Sequence, residues 1–208
     1  VPSAVNVSEN KYILNGMEVS MEEIKSICLQ SLSNFIVTMD KLRMENKIFW
    51  DSSLTNEVLL HHIENSTSAK ELLPIKKYLS DLSRYHYSEI AQKLAQRFEE
   101  FGDYENACFS NEMAFCYIDS WQPHKHGRPF LEAIKVHDKQ RLREFILERC
   151  YENLQAIHGG FNLPALVATG FDLLNDVEGL ETVFNAYLNY CQELFSHLPR
   201  DDQYGWLR

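Results

Sequence analysis

The 208-residue sequence predicts an all-α chain built from antiparallel helix hairpins. Three observations carry that expectation. Apolar residues recur at intervals of three and four over most of the chain, which is the spacing of one helix face. The stretch FEEFGDYENA, Phe98 to Ala107, reads as the end of one helix, a tight turn at Gly102 and Asp103, and the start of another. Alternation of Val, Ile and Thr long enough for a strand is nowhere convincing.

A hydrophobic content of 45% is enough for a continuous core at this length. Thirty acidic side chains against twenty basic ones give a formal charge of -10 and a pI near 5.3. That balance opposes generic binding to nucleic acid or to an anionic membrane and favours a basic or neutral protein partner. No run of about 18 uninterrupted apolar residues occurs, and Val1 onward shows no basic region followed by an apolar block. Neither a membrane span nor a signal peptide is expected, so the reading is intracellular, cytoplasmic or nuclear. Cys28, Cys108, Cys116, Cys150 and Cys191 lie scattered without CxxC spacing, as reduced thiols on helix faces do. A first residue of Val, and an end at Gly205 to Arg208 without a polar tail, read as a processed chain or an excised fragment.

Residues 1–19 are polar and weakly patterned and are expected to be a flexible segment, with one helical domain over 20–208. Ser20 and Glu23 form a capping-box signature. The stripe Ile24, Ile27, Cys28, Leu32, Phe35, Ile36, Met39 and Leu42 then predicts one long helix ending near Lys47. Val58, Leu59, His62 and Ile63 share one side of a helix over 55–64. Ser68 with Glu71 makes a second capping box, opening a helix through Leu72, Ile75, Leu79 and Leu82 with Pro74 in a first turn. Ile90, Leu94 and Phe98 belong to a helix from Ser88 that breaks at Gly102, and the next runs from Asp103 to Ile118. Beyond it the sequence predicts a loop, WQPHKHGRP, a helix from Asp138 to His158 stopped by Gly159 and Gly160, and a last pair split at Asn175 and Asp176.

Leu94, Ala95, Phe98, Gly102, Asp103, Tyr104, Ala107 and Ala114 resemble the tetratricopeptide pattern, whose period is about 34 residues. Small residues at 95, 107 and 114 suit the close approach of two helices, Phe98 and Tyr104 fill the space between them, and Gly102 can adopt the left-handed conformation. Asn111 departs from the family, which usually has an aromatic there, and Pro123 comes later than the usual closing proline. Val167, Ala168, Phe171, Asn175, Asp176, Val177, Leu180 and Phe184 form a weaker copy, offset by 73 residues (167 minus 94). Between the copies lies room for a divergent repeat on Leu142, Phe145, Ile146, Cys150 and Leu154. Leu180 in place of a small residue implies a more open pair. The resemblance implies a tetratricopeptide-like α-solenoid with pairs near 88–120 and 163–197, covering roughly a third of the chain; the alternative is an irregular helical bundle.

The histidines His124 and His126, with His137 further on, could share a metal ion if their loop is extended. The same loop, flanked by prolines and basic residues, reads equally as a solvated turn. His61 and His62 are adjacent, so on a helix they stand about 100° apart and do not share an ion readily. Cys108 and Cys116 read as small buried hydrophobes, and HGG at His158 to Gly160 as a helix stop without a GxSxG elbow. Lys125, Arg128, Lys135, Lys139, Arg141 and Arg143 concentrate positive charge over 125–143, either as a solvated face with intrahelical pairs or as a site for an acidic patch.

Function is therefore expected to be non-catalytic: a protein–protein interaction scaffold or adaptor with no cofactor. In tetratricopeptide-like pairs the first helix lines the concave surface, which puts Gln92, Gln96 and Glu99 in reach of a bound segment, a basic one given the net charge. Trp121 and Trp206 stand at segment edges as aromatic anchors. Two alternatives stay open. One is a helical metal-binding protein or enzyme using His124 and His126. The other is an oligomerisation module in which the last helix pairs with itself through Val183, Phe184, Tyr187, Leu188, Cys191, Leu194 and Phe195.

Overall fold

The computed structural model describes residues 11–46, 52–82, 87–116, 123–155 and 163–197. The chain is predominantly helical, with ten helices and one two-stranded sheet among the described residues. Its contacts group into two compact units, Val1–Tyr117 and Ile118–Arg208.

The first unit opens with a hairpin of β1 (Tyr12–Leu14) and β2 (Met17–Val19), paired Tyr12 to Val19 and Leu14 to Met17. The sequence shows no convincing strand alternation, yet these two three-residue stretches pair. Asn15 and Gly16 both have positive φ, 54° and 74°, which is what a two-residue hairpin turn of right-handed twist requires. The hairpin is anchored to the following helices. Asn46 Nδ2 donates to the Ile13 carbonyl at 2.9 Å, the Ile13 amide returns a bond to Asn46 Oδ1 at 3.0 Å, and Lys41 Nζ donates to Asn15 Oδ1 at 2.7 Å. Leu14 is buried beneath it.

Where one long helix is expected, two occur: α1 (Met21–Gln30) and α2 (Leu32–Glu45). Ser31 breaks them. Its backbone is extended and its hydroxyl accepts the Asn34 amide, so a residue within the expected long helix instead caps a new one. The apolar stripe survives the break, since Ile24, Cys28, Phe35, Met39 and Leu42 are all buried. Ser20 and Glu23 form the capping box at the start of α1.

Helix α3 (Ser52–Glu64) buries Leu54, Val58, Leu59 and Ile63, and α4 (Ala69–Leu82) buries Leu72, Ile75 and Leu79. At the start of α4, Glu71 reaches back to the amide and hydroxyl of Thr67, one residue before the Ser68 that the sequence pattern indicates. Pro74 lies inside α4, beyond the first turn. Helices α5 (Ser88–Glu100) and α6 (Tyr104–Cys116) form the predicted hairpin, and α5 packs on α3 and α4 as well.

The second unit holds α7 (Pro123–His137), α8 (Lys139–Gln155), α9 (Leu163–Leu174) and α10 (Val177–His197). The predicted loop WQPHKHGRP is thus helical from Pro123 onward. Its prolines read as loop punctuation, yet Pro123 occupies the first helical position, where a missing amide costs nothing, and Pro129 is exposed. Asp138 caps α8 through the Arg141 amide at 2.9 Å. Helix α9 packs against α7, α8 and α10, with Phe171 and Leu173 buried along it.

Candidate functional site

The α5–α6 turn follows directly from its residues. Gly102 has φ 74°, the Gly102 amide donates to the Glu99 carbonyl at 2.9 Å, and the Asp103 amide donates to the Phe98 carbonyl at 2.9 Å. These two bonds satisfy carbonyls that the end of α5 leaves open. Asp103 then caps α6 by accepting the Asn106 amide at 3.2 Å. Ala95, Phe98, Ala107 and Ala114 are all buried. Tyr104, expected to fill the space between the two helices, does not. It is 53% exposed, so Phe98 alone of the two rings lies fully between the helices.

Arg97 locks the hairpin to its neighbours. Its Nη2 donates to the Ser66 carbonyl and its Nε to the Ser66 hydroxyl at 3.3 Å, while the guanidinium stacks 4.6 Å from the Phe101 ring centroid and pairs with Glu100. Ser66 is buried in the α3–α4 connection, so its carbonyl would otherwise lack a solvent partner. Lys76 performs a parallel task between α4 and α6, donating to Asn106 Oδ1 at 2.6 Å over the Phe109 ring.

On α5, Gln92, Gln96 and Glu99 occupy one side, four and three residues apart. Gln96 is exposed and the other two are half-buried. Glu99 also makes an interaction within the protein. Trp121 and Trp206 lie outside the described residues.

The α9–α10 turn repeats the first turn atom for atom. Asn175 has φ 57°, its amide donates to the Asp172 carbonyl at 3.2 Å, and the Asp176 amide donates to the Phe171 carbonyl at 3.1 Å. Asp176 Oδ1 accepts the Gly179 amide at 2.9 Å, as Asp103 accepts that of Asn106. Asn is the residue other than Gly that visits left-handed backbone most readily. The more open pair expected from Leu180 is what the structure has, since α9 and α10 meet over much less of their surface than α5 and α6 do. Leu180 is half-buried, but Gly179 is buried, and a Cβ there would collide with the Phe171 ring. Within that open pair the point of close approach is Gly179, one residue before the aligned position. Gly170, against Ile146, is a second such point, between α9 and α8.

No family model, curated protein or solved structure matches the chain.

The remaining sequence candidates divide clearly. His124 and His126 fall on α7, where positions two apart are rotated about 200° around the axis, which removes the extended geometry that metal sharing presumed. His62 Nε2 lies 2.9 Å from the Cys28 carbonyl at the edge of the core, and His61 is exposed beside it. Cys28, Cys108 and Cys116 are free thiols, and burial pushes the Cys28 thiol up to about 11, far from a nucleophilic thiolate. Cys150, Cys191, His158, Gly159 and Gly160 have no described side-chain surroundings. No group of three His, Cys, Asp or Glu side chains able to hold a metal occurs among the described residues, and no described helix is long and apolar enough to cross a membrane.

Within the basic stretch 125–143, Arg128 pairs with Glu132 at 2.8 Å and lies 3.7 Å from Asp172, and Arg143 binds Asp176 at 2.6 Å. Part of that charge is therefore spent holding α7 and α8 to α9 and its turn.

Proposed function

We propose that the chain is a non-catalytic protein–protein interaction scaffold or adaptor, a tetratricopeptide-like α-solenoid whose helix pairs hold a segment of another protein. One observation carries the reading: the same helix ending, left-handed residue and Asp cap recur at Gly102–Asp103 and Asn175–Asp176, 73 residues apart (175 minus 102). Reuse of a hairpin multiplies exposed helix face, which is what a protein that works by contact needs. Gln92, Gln96 and Glu99 on α5 are the docking side, with Trp121 and Trp206 as edge anchors. The charge of -10 selects a basic segment, in an intracellular setting where the thiols stay reduced.

The test is recovery of a partner from cell extract by the immobilised chain, compared with Glu99→Lys and Gln96→Ala variants of unchanged helicity. The expected result is loss of recovery with Glu99→Lys, partial loss with Gln96→Ala, and weakening with salt over a Debye length of about 8–10 Å. Recovery unchanged by both variants, but abolished by Trp121→Ala or Trp206→Ala, would move the binding surface to the edges.

A further inference from the structure

Helix α10 buries Val183 but leaves three large apolar side chains in water: Val177 is 65% exposed, Phe184 43% and Leu188 52%. Their spacing of seven and four places them on one line along the helix, over about 16 Å of axis. An apolar line of this length on a helix that already has a buried side has the form of a second contact face.

Its electrostatic setting is one-sided. Residues 163–197 contain Asp172, Asp176, Glu178, Glu181 and Glu193 and no Lys or Arg. Asp172 and Asp176 face Arg128 and Arg143. Glu178 and Glu181 are exposed, make no ion pair among the described residues, and follow the line at rotations of roughly 100° and 40° from Val177. The face is thus a hydrophobic strip with the uncompensated carboxylate of Glu181 set between Val177 and Phe184 and that of Glu178 at its edge.

We propose that this face of α10 docks an amphipathic helix of a partner protein that carries Lys or Arg beside its own apolar stripe. The apolar line matches a helical partner because seven-and-four spacing interdigitates with the ridges of a second helix, and the edging carboxylates select the cation-flanked kind. A second copy of α10 brings the same carboxylates and no Lys or Arg, and an anionic membrane surface is repelled by them. The proposal rests on the reading of the chain as a binding module, but it concerns a different surface from α5.

The experiment titrates the full chain against a fluorescent helix-forming peptide of Leu and Lys arranged with Lys beside the Leu stripe, and against its Leu and Glu counterpart. The Leu/Lys peptide should bind. Phe184→Ala and Leu188→Ala should each weaken it about tenfold, Glu181→Lys should weaken it severalfold, and added salt should do the same. Glu99→Lys on α5 should leave it unchanged. Equal binding of both peptides, or binding indifferent to Phe184→Ala and Glu181→Lys, overturns the proposal, as does a concentration-dependent dimer that Phe184→Ala dissolves, which would show a second copy on the face. Loss of peptide binding with Glu99→Lys alone overturns the α10 assignment while leaving the α5 reading standing.

Discussion

Arg143 on α8 and Asp176 in the α9–α10 turn meet at 2.6 Å, Nε to Oδ2, while the other oxygen of the same carboxylate accepts the Gly179 amide. One side chain thereby ties three helices and caps the third. The Gly179 amide first, and then the Arg143 guanidinium, hold the Asp176 carboxyl below its ordinary value near 3.8.

A lowered carboxyl pKa in the folded state adds stability above the unfolded value, and that stability is lost as pH falls through the folded one. The Asp176 contribution is therefore full at neutral pH and fades as pH falls from about 3.8 through its lower folded value. Glu23 and Glu71, lowered by their capping bonds to Ser20 and Thr67, behave alike below their ordinary 4.5. Thermal melts of Asp176→Asn and wild type should differ at pH 7 and converge toward pH 2. A constant gap across that range would show that the carboxylate charge is not involved.

At Gly102 the strain of any substitution is purely conformational, since a Cβ there meets nothing within 4 Å but the backbone has φ 74°. Gly102→Val should destabilise by about 1 kcal/mol or more, with Gly102→Asn close to neutral. Equal melting temperatures for all three would contradict the left-handed helix ending.

Close helix approach predicts a loss of stability too, but one steric in origin. Ala107 is fully buried against α5, and a Cβ on Gly179 would strike Phe171 and lie 2.6 Å from Asp176 Oδ2. Ala107→Leu and Gly179→Ala should each cost about 1–3 kcal/mol by overpacking, read from urea midpoints at constant slope. A neutral Ala107→Leu would refute the register of the first hairpin, and a neutral Gly179→Ala that of the second.

Removing Arg97 strips the Ser66 carbonyl of its charged donor. Arg97→Ala should destabilise by about 2 kcal/mol. Arg97→Lys should recover only part of this, because an ammonium cannot reproduce the forked contact with carbonyl and hydroxyl. Hydrogen exchange should localise the loss to amides at the α3–α4 connection. Full rescue by Lys would mean that charge alone matters.

Periodicity along the sequence determined the helices and their buried faces, because a 3.6-residue repeat is local information: Ile90, Leu94 and Phe98 show their shared side without any partner in view. The turn at Gly102 was equally legible, since only a few residue types tolerate positive φ. Asn15–Gly16 carries the same kind of signal but without long strands around it; the short hairpin is held by Asn46 and Lys41, which lie 33 and 26 residues from their partners. Tertiary contacts decided the rest. Whether Ser31 sits inside a helix or caps one depends on how α1 and α2 pack, and whether Pro123 opens a helix or a loop depends on the core beneath Phe130, Leu131 and Ile134. The close approach at Gly179 within the open α9–α10 pair, and the exposure of Val177, Phe184 and Leu188 on a helix apolar on more than one side, likewise come from which face meets a neighbour. A single helix's sequence does not specify that, because burial is a property of pairs of surfaces and not of the residues on one of them.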